Sequence, residues 1–107
     1  MVLRDEWLVG AREDLNAELE YVYVEFGARS AEEAYLKVKE NVATLCRFPH
    51  IGKSFCDIVY HGQEVRSLSM KQTSIIYCHR GETILIIALW NNRRDEKTLK
   101  TTISSRQ

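Results

Sequence analysis

Five consecutive residues, Asn91-Asn92-Arg93-Arg94-Asp95, place two amides, two guanidiniums and a carboxylate directly after the apolar run Thr83 to Trp90. A guanidinium binds a phosphate or carboxylate through paired N–H donors, so such a cluster at the end of a rigid element is a candidate binding surface. Upstream, Arg66 either holds a phosphate bidentately or pairs internally with Glu64 or Asp95. Tyr77, two residues after Ile75, reads as a core aromatic with its hydroxyl satisfied or as an acid, and His79 as a solvated turn residue or a general base. Trp90 either caps the sheet or offers a stacking face to a nucleic-acid base. His50, His61 and His79 lack H-x-x-x-H spacing, and Cys46, Cys56 and Cys78 lack C-x-x-C spacing. Neither a metal nor another cofactor is expected, and the thiols read as buried or incidental rather than as a disulfide framework.

These residues need a sheet to position them. Ser74–Cys78 and Thr83–Trp90 are rich in β-branched and aromatic residues and are interrupted only by His79-Arg80-Gly81-Glu82, the pattern of a β-hairpin. Thr83–Trp90 shows no polar alternation, which predicts a strand covered on both faces. Val65–Met70 is expected to precede the hairpin as another strand, with Glu64, Arg66, Leu68 and Met70 on one face and Val65, Ser67 and Ser69 on the other. Lys71-Gln72 makes the turn between them.

Ahead of the sheet, Val2–Leu8 is read as a strand. Ala11, Leu15, Leu19, Val22 and Phe26 recur at helical spacing over Gly10–Phe26, with Gly27 placed to end that helix. Ser30-Ala31-Glu32-Glu33 has the form of a capping box opening a second helix, whose stripe Ala31, Ala34, Val38, Val42 and Leu45 runs toward Phe48 before Pro49 stops it. A three-residue connection between the helices implies an antiparallel hairpin on one face of the sheet. His50–Gln63 reads as a connection with the short apolar patch Ile58-Val59-Tyr60 and a turn at His61-Gly62. After Asp95, Leu99 and Ile103 are four apart, compatible with a short helix or a last strand, and Ser104–Gln107 is expected to fray. The expected architecture is α+β, a strand, two helices on one face and a mainly antiparallel sheet (β-α-α-β-β-β), in one domain spanning residues 1–107.

Hydrophobic residues at 45% and charged residues at 28% of the 107 are ordinary globular proportions, which exclude a disordered chain. With no long apolar run and no leader-like N-terminus, a cytoplasmic protein without membrane contact is expected. The formal net charge of zero hides an asymmetry: residues 1–40 hold ten acidic and five basic side chains, and residues 41–107 hold five and ten. The basic half either faces phosphates or an acidic partner, or simply underlies an acidic helical layer.

Several stretches, in this order, resemble the RelE/ParE superfamily of bacterial type II toxins. They are Ala11-x-x-Asp14-Leu15, Phe26-Gly27, Leu45-x-x-Phe48-Pro49-x-Ile51-Gly52, Arg66-Ser67-Leu68, Ser74-Ile75-Ile76-Tyr77 and Ile87–Asp95. The resemblance implies a β-α-α-β-β-β toxin fold and a cognate antitoxin whose otherwise disordered segment folds onto the helices or the sheet edge, giving a hetero-oligomer. Two activities occur in the superfamily. RelE-like members are metal-independent endoribonucleases acting on messenger RNA in the ribosome, and here Arg66, Lys71, Tyr77, His79, Arg80, Arg93 and Arg94 are the side chains for such chemistry. ParE-like members poison DNA gyrase and need a contact surface rather than a catalytic set. RelE-like nucleases carry an arginine where this chain has Ser74, whereas the Pro-x-Ile-Gly turn, Arg66-Ser67-Leu68 and Arg94-Asp95 are closer to the ParE branch. That branch implies Arg66, Trp90, Arg93, Arg94 and Asp95 as target-binding residues; a third alternative is a non-catalytic relative that only binds an antitoxin.

Overall fold

The computed structural model describes residues 2–107, apart from the side chain of Cys56. The chain runs β1 (Arg4–Trp7), α1 (Val9–Phe26), α2 (Ala28–Arg47), β2 (Lys53–Tyr60), β3 (Gln63–Ser69), β4 (Thr73–Arg80), β5 (Thr83–Asn91) and α3 (Glu96–Ser105). One five-stranded sheet has the order β1-β5-β4-β3-β2; β1 is parallel to β5 and all other neighbours are antiparallel. The α+β architecture expected from the sequence is present, with one more strand and one more helix.

β5 is covered on both faces, as its unbroken apolar run requires. Ile84, Ile86 and Leu89 join Ala11, Val38, Val42, Leu45, Ile75 and Tyr77 beneath the helical hairpin. Leu85, Ile87, Ala88 and Trp90 join Ile58, Tyr60, Val65, Ile76, Cys78, Leu99 and Ile103 beneath α3. Strict alternation breaks at Ile87 and Ala88, which share a face, because the β4–β5 register slips between Ile76 and Tyr77. The spacing of Leu99 and Ile103 therefore belongs to a helix. Burying those two side chains contributes about 2 kcal/mol each and holds α3 on the sheet.

Three expectations change. Residues 53–60 are a strand and not a connection: pairing with β3 is interrupted between Phe55 and Val59, so Phe55 and then Ile58 and Tyr60 pack toward the same face, and the bulge hides the period of two. The capping box is unused, because α2 starts at Ala28 directly after Gly27, whose φ of +94° turns the chain in one residue; Ser30 already lies inside the helix. The C-terminus is anchored rather than frayed: the Tyr60 hydroxyl donates to the Arg106 carbonyl, and the His61 N–H donates to the Gln107 side chain.

The hairpin stripes are buried only toward the Ala11 and Leu45 end. Phe26, expected on the buried stripe, is exposed and meets Tyr21 edge-on at 6.5 Å, and Tyr23, Val24, Tyr35 and Leu36 are also exposed. The helices pack mainly on β1 and β5, so the tip of the hairpin carries uncovered apolar surface. Among the described residues no helix is long and apolar enough to cross a membrane, and no cluster of His, Cys, Asp and Glu is arranged to hold a metal. Cys46 and Cys78 are buried free thiols, and burial pushes the Cys78 thiol up to about 11; the Cys56 thiol lies outside the described residues.

Candidate functional site

The candidate residues divide between two faces and two ends of the sheet. Arg66 and Tyr77 face each other across β3 and β4, toward the helical hairpin, and both are consumed by the turn after α2. The Tyr77 hydroxyl donates to the Pro49 carbonyl at 2.8 Å and accepts from the Gly52 N–H at 3.0 Å. Arg66 Nη1 donates to the carbonyls of His50 at 3.1 Å and Gly52 at 2.7 Å, while Nη2 pairs with Glu64 at 2.9 Å. A Cβ at Gly52 would lie 2.6 Å from the Tyr77 hydroxyl and 2.9 Å from the Ser67 carbonyl, so this position has room only for glycine. The Pro49-x-Ile51-Gly52, Arg66-Ser67 and Tyr77 stretches are thus one lock.

The electrostatics agree with a structural role for the lock. Burial raises the Tyr77 pKa, which keeps the phenol protonated. A hydrogen bond from Ser54, then the Arg66 guanidinium, lowers the Glu64 pKa and keeps it ionised opposite Arg66. Tyr77→Phe removes the partner of both turn groups, and we expect a stability loss of about 1–3 kcal/mol. Denaturant titration measures this, and an unchanged midpoint would show that the lock is not held by the hydroxyl.

His79 and Arg80 lie at the far end of β4, where His79 Nε2 is 2.8 Å from the Gly81 carbonyl and its ring stands 5.7 Å edge-on to His50. From Thr73 to His79 is about 20 Å along the strand at ~3.4 Å per residue, too far for His79 and the cations at the opposite end to address one phosphate.

Those cations form the second group. Trp90 is buried at the end of β5 on the α3 face, and the Arg94 guanidinium lies over its ring, 4.4 Å from the centroid. A contact of this kind holds the planar group in place while leaving its edge to solvent. Asp95 caps α3 by accepting from the Lys97 N–H at 3.0 Å. Arg93 lies in a groove of about 380 Å³ with Asp14, Glu18, Tyr21 and Phe26 of α1, whereas Arg94 also borders a groove of about 440 Å³ lined by Lys53, Ser67, Ser69, Ser74 and Trp90. Lys71 is exposed in the β3–β4 turn beside them. Ser74 is buried and donates to Asn92 Oδ1 at 2.6 Å, so it shapes this exit rather than facing a ligand. Trp90, Arg93, Arg94, Asp95 and Lys71 are therefore brought together, and Arg66, Tyr77 and His79 are not with them.

Sequence reasoning missed a second lock, in which Arg106 chelates Asp14. Nη1 and Nη2 lie 2.8 and 3.1 Å from the two carboxylate oxygens. Arg106 also donates to the Ile87 carbonyl at 2.9 Å, and Asp14 accepts from the Leu89 N–H at 3.1 Å. β1 stops pairing at Ile86, so these side chains complete the β5 edge where no strand continues. The available signal was a carboxylate beside the buried stripe of α1, three residues after Ala11, which demands a partner.

A family model for the ParE toxin of the type II toxin-antitoxin system, parDE, matches residues 6–96. Among solved structures, the chain is similar to one titled "Chromosomal ParDE TA system from P. aeruginosa", with a TM-score of 0.68 at 23% identity, covering 84% of this chain and 96% of that one. That likeness supports the fold, and no curated protein matches. Because the family match runs from β1 through the Pro49–Gly52 lock to the β5 exit and so covers most of the chain, the chain belongs to the ParE toxin family of type II toxin-antitoxin systems.

Proposed function

We propose that this protein inhibits DNA gyrase as a ParE-type toxin and is neutralised in the cytoplasm by a cognate antitoxin. The family match across residues 6–96 carries this reading. The disposition of the nuclease candidates supports it: Tyr77 has both hydroxyl functions engaged and no exposed surface, Arg66 is tied to the Pro49–Gly52 turn, and His79 is remote from Arg93 and Arg94. A ribonuclease needs a base, a phosphate-holding cation and an acid converging on one site, whereas a gyrase poison needs only an exposed rigid surface. The β5 exit offers such a surface through Arg93, Arg94 and Asp95, with Trp90 buried beneath Arg94 as its support.

The uncovered hairpin tip supports the antitoxin part of the reading. Tyr21, Tyr23, Val24, Phe26 and Leu36 form apolar surface of the kind a folding-on-binding segment covers. The purified toxin should block gyrase supercoiling, and added antitoxin should restore it. Normal supercoiling beside codon-phased messenger RNA cleavage on programmed ribosomes would replace this reading with the RelE-like one.

Arg94→Ala should fold within about 1 kcal/mol of the wild type, losing only its contact with Trp90. Its half-inhibitory concentration against gyrase should rise about tenfold, as for a central arginine in an interface. An unchanged inhibition curve would remove Arg94 from the contact surface.

A further inference from the structure

The β3–β4 turn and the β5–α3 turn are cross-linked into one rigid unit. The Asn92 N–H donates to the Gln72 carbonyl at 2.9 Å, and its side chain accepts from Ser74 at 2.6 Å. The Asn91 side chain accepts from the Arg93 N–H at 2.9 Å, and its carbonyl accepts from the Arg94 N–H at 3.0 Å. From this unit Lys71, Arg93, Arg94 and Lys97 all project into solvent, and none makes an ion pair among the described residues. The carboxylates around them are largely committed: Asp95 to its helix cap, Asp14 to Arg106, and Asp57 to Lys100 at 2.6 Å. Glu96 and Glu18 leave the cations in excess.

The character of the surface selects its partner. None of the large apolar side chains exposed among the described residues belongs to the double turn itself; Tyr21 and Phe26 of α1 border it only across the groove that Arg93 and Arg94 line, so its cations surround no apolar centre of their own. Its one aromatic, Trp90, is buried under Arg94 and gives no open face on which an unpaired base could stack. Exposed cations on a fixed backbone, on turns that carry no exposed apolar anchor themselves, suit a regular line of phosphates. We propose that the double turn grips the phosphate backbone of duplex DNA through Lys71, Arg93, Arg94 and Lys97. Resting on the gyrase reading, this makes the DNA carried by gyrase part of the toxin's binding site, so that the toxin binds the gyrase–DNA complex more tightly than gyrase alone.

The test uses the full-length toxin and Lys71→Gln/Arg93→Gln, both checked for cooperative melting. Fluorescence anisotropy with a labelled DNA duplex across a salt series should give a wild-type log–log slope of about −3 to −4, from four contacted phosphates at about −0.9 each. The double variant should reduce the slope by about 2 and bind about tenfold more weakly at low salt. In parallel, toxin affinity is measured for gyrase holoenzyme with and without bound duplex; the wild type should bind the DNA-bound form more tightly, and the variant should lose more affinity for that form than for the free enzyme. Salt-dependent duplex binding that weakens in the variant, with no affinity for gyrase, would uphold the DNA surface while removing the gyrase reading. Absence of duplex binding together with equal affinity for free and DNA-bound gyrase would overturn the proposal, as would a duplex affinity untouched by the double substitution. Equal affinity and slope on a single strand would overturn the duplex assignment.

Discussion

Ile86→Asp should abolish cooperative folding. Ile86 has no exposed surface, sits in the core beneath the helical hairpin, and pairs with Trp7 of β1 on one side and Tyr77 of β4 on the other. A carboxylate there has no cation to meet, and its desolvation together with the lost apolar contact costs about 4–5 kcal/mol or more. Since domains of this size are stable by about 5–15 kcal/mol, a domain toward the lower end of that range loses nearly all of its folding free energy. The conservative Ile86→Val should cost only about 1 kcal/mol and keep a sharp transition. Urea titration followed by circular dichroism separates the two, and a wild-type-like transition in the aspartate variant would contradict the buried position of β5.

Asp14→Ala should cost about 3 kcal/mol although the residue is partly exposed. Three hydrogen bonds end on this carboxylate, and its removal strands both the Leu89 N–H and a guanidinium that is about one-fifth exposed. Removing Arg106 as well should cost less than the sum of the single changes, with a coupling of about 1–2 kcal/mol, because the stranded charge goes with it. Hydrogen exchange gives an independent reading: α3 amides should lose protection in Asp14→Ala, since the pair ties α1 to the end of α3. Additive single and double variants would mean that Asp14 and Arg106 do not act together.

These locks explain why family membership is easier to read than the target. Asp14, Pro49, Gly52, Arg66 and Tyr77 all belong to the stretches that resemble the superfamily, and each is engaged in holding the fold. They identify the scaffold because the scaffold requires them. The residues we propose for the target are at the β5 exit, where turn geometry imposes few demands on side-chain identity.

Local pattern by itself determined the helical hairpin, the β4–β5 hairpin and the two-sided burial of β5, because these follow from periodicity and from turn residues close in the chain. It also put Trp90, Arg93, Arg94 and Asp95 at one end of the sheet. Only the tertiary structure decided the rest. β2 became visible through its pairing with β3, since its bulge reverses the side-chain alternation that would have marked it. Gly27 displaced the Ser30 capping box because a positive φ closed the helical turn earlier. Arg66 left the candidate surface because β3 turns its side chain toward the helical face and the Pro49–Gly52 turn takes its donors. Asp14 found Arg106 across 92 positions of chain, a contact fixed by how α3 docks on the sheet and by no spacing within the sequence.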